Sequence, residues 1–147
     1  MNPSLRNPAK ADLPSWKTMV RAYYEEDGLV YRDDRQSRAL EILVVGDPLA
    51  KGWFIDVEGV TAGYAVITLS FSVETGGRDG FIDELFIKPE LRNQGLGQRV
   101  LGLIDKEARM LGLGRMYLEV DHGNPAIRLY RRAGYSDHER HLLSKWL

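Results

Sequence analysis

Cysteine is absent from the chain, which excludes disulfide bonds, thiolate metal sites and a cysteine nucleophile. No apolar run approaches the roughly 18 residues that a membrane-spanning helix needs. The first residues, MNPSLRNPAKADLP, contain no apolar stretch of the kind that a secretory signal carries. We therefore expect a cytoplasmic protein.

An excess of positive charge is also missing, since the formal net charge is −1. General nucleic-acid binders are usually basic, so this balance argues against that class. The three histidines, His122, His138 and His141, do not have the spacing of a metal site, and we expect no bound metal. The 147 residues are 44% hydrophobic and 28% charged, which is typical of one globular domain over residues 1–147.

The first half of the chain contains helical and then strand-like patterns. Apolar residues at helical spacing predict two helices, over Trp16–Glu26 and Asp33–Val45, and a glycine follows each of them. Three strand-like runs come next, at Trp53–Val57, Thr61–Ser72 and Phe81–Lys88. A turn at Glu58 and Gly59 joins the first two runs, which predicts an antiparallel hairpin.

The second half opens with the clearest amphipathic helix, which begins at Leu96 and ends near Leu111. It is followed by a strand over Arg115–Val120, a short helix over Ala126–Ala133 and one or two strands within Tyr135–Leu147. The succession of strand, helix and strand from residue 81 to 120 implies a parallel pair with a crossover helix. The sequence thus predicts a mixed α/β sheet with helices packed on it.

A glycine-rich segment, Arg92-Asn93-Gln94-Gly95-Leu96-Gly97, lies between the third strand and the amphipathic helix. Glycine lets a backbone approach a ligand closely, and the first N–H groups of a helix have no partners within it. These properties favour a pyrophosphate site to which Arg92 adds a positive charge. The dinucleotide fingerprint and the P-loop both fit the spacing poorly. A flexible turn into a helix is the other interpretation.

Two longer segments carry a resemblance to a known family. The segment FIDELFIKPELRNQGLG, from Phe81 to Gly97, resembles the acetyl-CoA motif of the GNAT superfamily of N-acetyltransferases. The segment NPAIRLYRRAGY, from Asn124 to Tyr135, resembles the second motif of that family, and the order and spacing of the two are typical. Asn93 departs from the family's usual glycine, but asparagine also tolerates unusual backbone angles.

The resemblance implies a mostly antiparallel sheet whose central parallel strands splay into a V, flanked by about four helices. It also implies that acetyl-CoA binds in that V, with its pantetheine arm against the strand backbone and its pyrophosphate on the helix start. The binding residues that it implies are Leu85, Phe86, Ile87, Arg92, Asn93, Gln94, Gly95, Leu96, Gly97, Gln98, Asn124 and Tyr130.

Asp83 and Glu84 are the candidate bases for an amine whose free pKa lies near ~10. They interrupt an otherwise apolar strand, where a carboxylate is costly unless it is paired or used. Adjacent strand residues point to opposite faces, so one of the two is expected to face the cleft. The resemblance favours Glu84, acting through water, with Asp83 as the rival. A buried salt bridge to an arginine is the alternative for both.

Tyr130 matches the tyrosine of the second family motif. The resemblance implies that its phenol is the general acid, which protonates the leaving thiolate. A packing role with a satisfied hydroxyl is the alternative. The expected donor to the oxyanion is a backbone N–H near Phe86.

Together the two motifs imply an acetyltransferase that moves an acetyl group from acetyl-CoA to a primary amine by direct attack in a ternary complex. The acidic residues near the expected cleft favour a small cationic amine as the acceptor. A non-catalytic coenzyme A-binding sensor or scaffold is the rival class, and the presence of Tyr130, Glu84 and Asp83 argues against it. The sequence leaves open whether the protein is a monomer or a homodimer.

Overall fold

The sheet is built from five strands. They are β1 (Pro3–Arg6), β2 (Ala50–Val57), β3 (Val60–Ser72), β4 (Gly77–Ile87) and β5 (Arg115–Leu118) in the computed structural model, which describes residues 1–147. They lie in the order β1-β2-β3-β4-β5, and every pair is antiparallel except β4 and β5, which are parallel. The predicted hairpin and the predicted parallel pair are therefore confirmed.

Four helices flank the sheet. They are α1 (Leu13–Asp27), α2 (Asp33–Val45), α3 (Leu96–Met110) and α4 (Ile127–Arg132). α1 begins after Asp12 with a proline in its first turn and ends at Gly28, whose φ of 68° is the left-handed conformation that glycine adopts without strain. The crossover helix α3 joins β4 to β5 as the sequence pattern predicts, and the predicted mixed α/β class is confirmed.

An apolar cluster covers each face of the sheet. The cluster under α3 contains Trp53, Ile55, Val57, Ala62, Ala65, Ile67, Ile82, Leu96, Val100, Leu101 and Ile104. The cluster under α1 and α2 contains Trp16, Met19, Val20, Leu40, Phe54, Tyr64, Val66 and Phe86. Because both faces are covered, β3 is buried without interruption from Ala62 to Ile67.

The parallel pair is short and is anchored at its beginning. It starts where Asp79 pairs with Arg115 and stops where Ile82 pairs with Leu118, whereas β4 continues to Ile87. Asp79 is 1% exposed and accepts a hydrogen bond of 2.7 Å from the Arg115 guanidinium. Burial opposes the charge of this carboxyl, but hydrogen bonds from Thr75 and Arg115 lower its pKa. The two strands are therefore held together at one end and open at the other.

Two elements differ from the sequence pattern in whether they form, and β4 begins at Gly77 instead of the predicted Phe81. β1 was not predicted, because its four residues become a strand only by pairing with β2. The strands predicted within Tyr135–Leu147 do not form, and residues 136–147 make no backbone–backbone hydrogen bond. A strand needs a neighbour, and adjacent leucines at 142 and 143 interrupt the alternation that would bury one face of it. The outer edge of β5 consequently has no strand beside it.

Gly63 of β3 allows the closest backbone approach next to the open end of the parallel pair. We expect Gly63→Ala to lower the free energy of unfolding by about 1–3 kcal/mol, because the added Cβ would lie 2.0 Å from the carbonyl oxygen of Phe86. The control is Gly102→Ala in α3, where a Cβ meets nothing within 4 Å and helix propensity should add about 0.5–1 kcal/mol. Urea titration measures both changes. A Gly63→Ala variant as stable as the wild type would contradict the close approach.

Candidate functional site

A β-bulge at Asp83 determines which way the carboxylates of β4 point. In the register with β3, Val66 faces Glu84 and Ile67 faces Ile82, so Asp83 is an extra residue without a partner. Ile82 therefore packs under α3 while Glu84, two residues later, contacts tyrosines from the α1 and α2 face. The alternation on which we expected Asp83 and Glu84 to diverge is broken here, and both line the same pocket.

The Glu84 carboxylate is held by two tyrosines. The Tyr24 hydroxyl, from α1, donates to Oε1 at 2.9 Å. The Tyr64 hydroxyl, from β3, donates to Oε2 at 2.7 Å. Burial raises the pKa of Glu84 and the charge of Asp83 adds to the effect, while the two phenol donors act in the opposite direction.

The pocket beside these carboxylates has a volume of about 110 Å³ and lies between α1, α2 and the sheet. It is lined by Val20, Tyr24, Gln36, Ala39, Leu40, Leu43, Val66, Asp83 and Glu84. Asp83 keeps contact with solvent, but the surrounding protein removes enough water to raise the pKa of its carboxyl. Neither carboxylate forms a salt bridge, so the arginine pairing considered as the alternative is not formed. The pocket is acidic and contains no basic residue.

The segment after β4 forms a cradle of backbone amides, which we define as residues 93–98. Asn93 has φ of 60° and Gly95 has φ of 76°, and Gly95 is the N-cap of α3. The left-handed angle at Asn93 agrees with the tolerance expected of asparagine there. None of the N–H groups from 93 to 98 donates to a backbone carbonyl, and the first amide of the helix that does so is Arg99. These free amides, at the positive end of a 15-residue helix, favour an anion.

Arg92 stands at the entrance to the cradle, but its guanidinium is already bound within the protein. It forms a bidentate pair with Glu26 at the end of α1, at 2.5 and 2.8 Å, and Nε donates to the carbonyl of Ile87 at 2.8 Å. The same guanidinium lies over the ring of Phe86. In this arrangement the side chain of Arg92 connects α1 to the end of β4.

The second motif lies against the cradle. A Cβ on Gly97 would be 2.8 Å from Leu129, so the absence of a side chain there lets α4 approach α3. Asn124 uses Oδ1 to accept the N–H of Ala126 at 2.9 Å, which fixes the turn into α4. Tyr130 is half-buried, and its hydroxyl makes no hydrogen bond to protein. Burial, with a smaller contribution from Asp27, raises the pKa of this phenol and keeps it protonated.

The backbone of Leu85, Phe86 and Ile87 lies on the stretch of β4 that has lost β5 as a neighbour. These residues therefore line the open end of the parallel pair, between the acidic pocket at Asp83 and the cradle at 93–98. The structure brings the predicted strand, cradle and Tyr130 segments to one end of the sheet.

Sequence reasoning missed the tyrosines around Glu84. Tyr24 and Tyr64 are 60 and 20 residues from Glu84 along the chain, and no local motif connects them. One signal was present in the sequence. Tyr64 lies inside a strand of small and apolar residues, where a buried phenol needs a hydrogen-bond partner.

The structure adds two findings on the wider classes of function. No helix has the length and apolarity that crossing a bilayer requires. No three side chains of the types that ligate metals are grouped together.

Two curated relatives match about half of this chain. An IAA acetyltransferase of Azospirillum brasilense is 33% identical over 69 residues, which cover 46% of this chain and 45% of that protein. A thialysine N-epsilon-acetyltransferase of Bos taurus is 30% identical over 76 residues, which cover 51% of this chain and 44% of that protein. The chain thus matches less than half the length of each relative.

A solved structure resembles the whole fold. The integron cassette protein HFX_CASS3, from the mobile metagenome of Cole Harbour Salt Marsh, superposes with a TM-score of 0.84 at 31% identity. The match covers 97% of this chain and 90% of that one. The agreement therefore extends over nearly the whole chain.

The model of the acetyltransferase (GNAT) family matches residues 13–135. That range begins at α1 and ends after α4, so it includes the acidic pocket, the cradle and Tyr130. The chain therefore belongs to the GNAT acetyltransferase family.

Proposed function

We propose that this chain is an N-acetyltransferase that moves the acetyl group of acetyl-CoA to a primary amine, and that the acceptor is a small cationic amine. The observation that carries the proposal is that β4 connects the acidic pocket to the cradle of amides. This strand holds two carboxylates in an acidic pocket and leads directly into the cradle of free amides. A cationic acceptor suits the first feature, and a pyrophosphate suits the second.

The donor half of the site is proposed to bind acetyl-CoA as a substrate, through the residues that the family resemblance implies. The amides of residues 93–98 would hold the pyrophosphate, and the backbone of Leu85 to Ile87 would pair with the pantetheine arm. For Arg92 we propose that the guanidinium fixes the entrance to the cradle, because the side chain is engaged with Glu26 and the backbone N–H already donates to the carbonyl of Pro89. No metal takes part in the proposed reaction.

The proposed chemistry is a direct attack in a ternary complex. Glu84, acting through a water molecule, accepts the proton that the acceptor ammonium loses, and Asp83 is the rival for this role. The amine nitrogen then bonds to the thioester carbonyl carbon, and a backbone N–H near Phe86 donates to the oxyanion. As the carbon–sulfur bond breaks, Tyr130 gives its phenol proton to the departing thiolate. The nitrogen loses its second proton as it becomes an amide, and this proton returns through water to the Tyr130 phenolate.

The rival function is a coenzyme A-binding sensor or scaffold without catalysis. The free hydroxyl of Tyr130 and the pair of carboxylates in one pocket favour catalysis, because a purely binding module needs neither. We also propose that the protein acts in the cytoplasm. Since the net charge is −1, we propose that its acceptor is not a nucleic acid.

We further propose a homodimer in which residues 136–147 of each copy, the C-terminal segment, lie beside β5 of the other. The segment is exposed, carries Leu142, Leu143 and Trp146 unburied, and makes no backbone hydrogen bond in its own chain. The outer edge of β5 is unpaired and could form backbone hydrogen bonds with such a segment.

The proton-transfer role of Tyr130 predicts that removing its hydroxyl oxygen alone lowers turnover strongly. We expect release of free thiol from acetyl-CoA with at least one member of a panel of small amines, and Tyr130→Phe should lower turnover by about 10²-fold. Acetyl-CoA affinity should stay the same, because the ring is retained. The control is Tyr135→Phe, whose ring lies 6.1 Å from that of Tyr130 and whose buried hydroxyl has no partner. Undiminished turnover in Tyr130→Phe would show that Tyr130 is only a packing residue. If the wild-type protein binds acetyl-CoA but acetylates no amine, the sensor function is supported instead.

The cradle predicts that the position of Gly95 matters for binding more than for folding. A Cβ at Gly95 meets no protein atom within 4 Å, so a side chain there would occupy open space next to the amides. We expect Gly95→Asn, which retains a residue tolerant of positive φ, to weaken acetyl-CoA binding at least tenfold while the thermal midpoint changes little. Isothermal calorimetry and thermal unfolding measure the two effects. Equal affinity in the folded variant would refute the cradle.

The proposed dimer can be tested because the chain has no cysteine. We expect a mixture of Glu119→Cys and Leu143→Cys proteins to form a covalent heterodimer with a short bismaleimide, since both side chains are exposed. Each variant alone is the control. A monomeric mass by light scattering, or no covalent heterodimer in the mixture, would contradict the proposed dimer.

A further inference from the structure

The Glu84 carboxylate is bound from two independent elements. Tyr24 approaches from α1 and Tyr64 from β3, and each hydroxyl donates to a different carboxylate oxygen. No other side chain donates a hydrogen bond to Glu84. A carboxylate with one donor on each oxygen is fixed in rotation, and its charged form is favoured.

We propose that Tyr24 and Tyr64 are positioning residues, which hold Glu84 ionised and in one orientation and, against the opposing charge of Asp83, set the pH range of acetyl transfer. The statement about transfer rests on the proposed function, in which Glu84 is the base. The statement about Glu84 itself rests only on the hydrogen bonds and the bulge.

The phenols are themselves held in place by aromatic packing. Tyr64 is completely buried, and its ring lies 6.1 Å from Trp16 and 5.9 Å from Phe86. The ring of Tyr24 lies 5.8 Å from Tyr23 and 6.2 Å from Tyr31. Burial and the charge of Glu84 raise the pKa of both phenols, so both hydroxyls keep their protons. They therefore remain donors to Glu84.

The groups that face Glu84 can be named element by element. α1 contributes Tyr23 and Tyr24, β3 contributes Tyr64, and β4 contributes Asp83. The only polar side chain that α2 contributes to the pocket is the neutral Gln36. With no cation among them, the phenols are the groups that stabilise the charged carboxylate, while burial and, to a smaller extent, the charge of Asp83 destabilise it.

The phenols and the charge of Asp83 shift the pKa of Glu84 in opposite directions, which makes the proposal testable. Removing a phenol hydroxyl withdraws a hydrogen bond from the charged form, so the pKa of Glu84 rises. Removing the charge of Asp83 relieves repulsion of the charged form, so the pKa of Glu84 falls. A residue that only supports packing would produce neither ordered shift.

The experiment follows the Glu84 carboxyl by NMR in protein labelled with ¹³C on glutamate side chains, and in parallel the pH profile of kcat/KM. We expect Tyr64→Phe and Tyr24→Phe each to move the titration and the acidic limb upward by about one pH unit. Asp83→Asn should move the titration downward. The control is Tyr31→Phe, whose hydroxyl donates to Asp33 at 3.0 Å and not to Glu84.

The two readouts separate this inference from the proposed function. An unchanged Glu84 titration in the folded tyrosine variants would overturn the proposal, and if Tyr64→Phe does not fold, Tyr24→Phe decides alone. A shifted titration with an unmoved acidic limb would overturn the control over transfer. If no amine is acetylated by any variant, the NMR shifts still establish the hold on Glu84, and the base role falls with the proposed function.

Discussion

One unmatched residue in β4 determines the character of this site. Without the bulge at Asp83, the strand would alternate regularly, and Glu84 would share the α3 face with Ile82. A carboxylate there would lie in the apolar cluster that contains Val100, Leu101 and Ile104. Burying it without a hydrogen-bond donor would cost roughly several kcal/mol of folding free energy. The bulge moves Glu84 to the side that carries tyrosines and leaves Asp83 beside it.

The open end of the parallel pair depends on the same region of β4. Pairing with β5 stops at Ile82, immediately before the bulged residue, and the remainder of β4 has one free edge. A bulge increases local twist, which agrees with the departure of the two strands at this point. The acidic pocket, the free backbone edge and the cradle therefore follow one another along a single continuous segment.

The parts of the structure that were predictable from sequence are those governed by local rules. Gly95 at the start of α3 and the proline after Lys88 predict the cradle, because a helix start and a turn need only neighbouring residues. The hydrogen bond from Tyr24 to Glu84 was not predictable, since it depends on how α1 crosses β4. The bulge was equally hidden, because Phe81 to Ile87 is apolar on both sides of the two carboxylates and one extra residue leaves no mark in that pattern. The same limit explains β1 and the C-terminal segment, whose pairing partners are remote or absent within the chain.

The pair of Arg92 and Glu26 has a consequence for how such a site can change over time. Arg92 holds the end of α1 and the carbonyl of Ile87 at once, while α1 carries Tyr24 on its neighbouring turn. A substitution that widens the acidic pocket by moving α1 therefore also displaces Arg92 at the entrance to the cradle. Under the proposed function, acceptor preference and donor binding are therefore coupled in this chain, whereas substitutions on α2, which takes no part in that connection, would change the pocket alone.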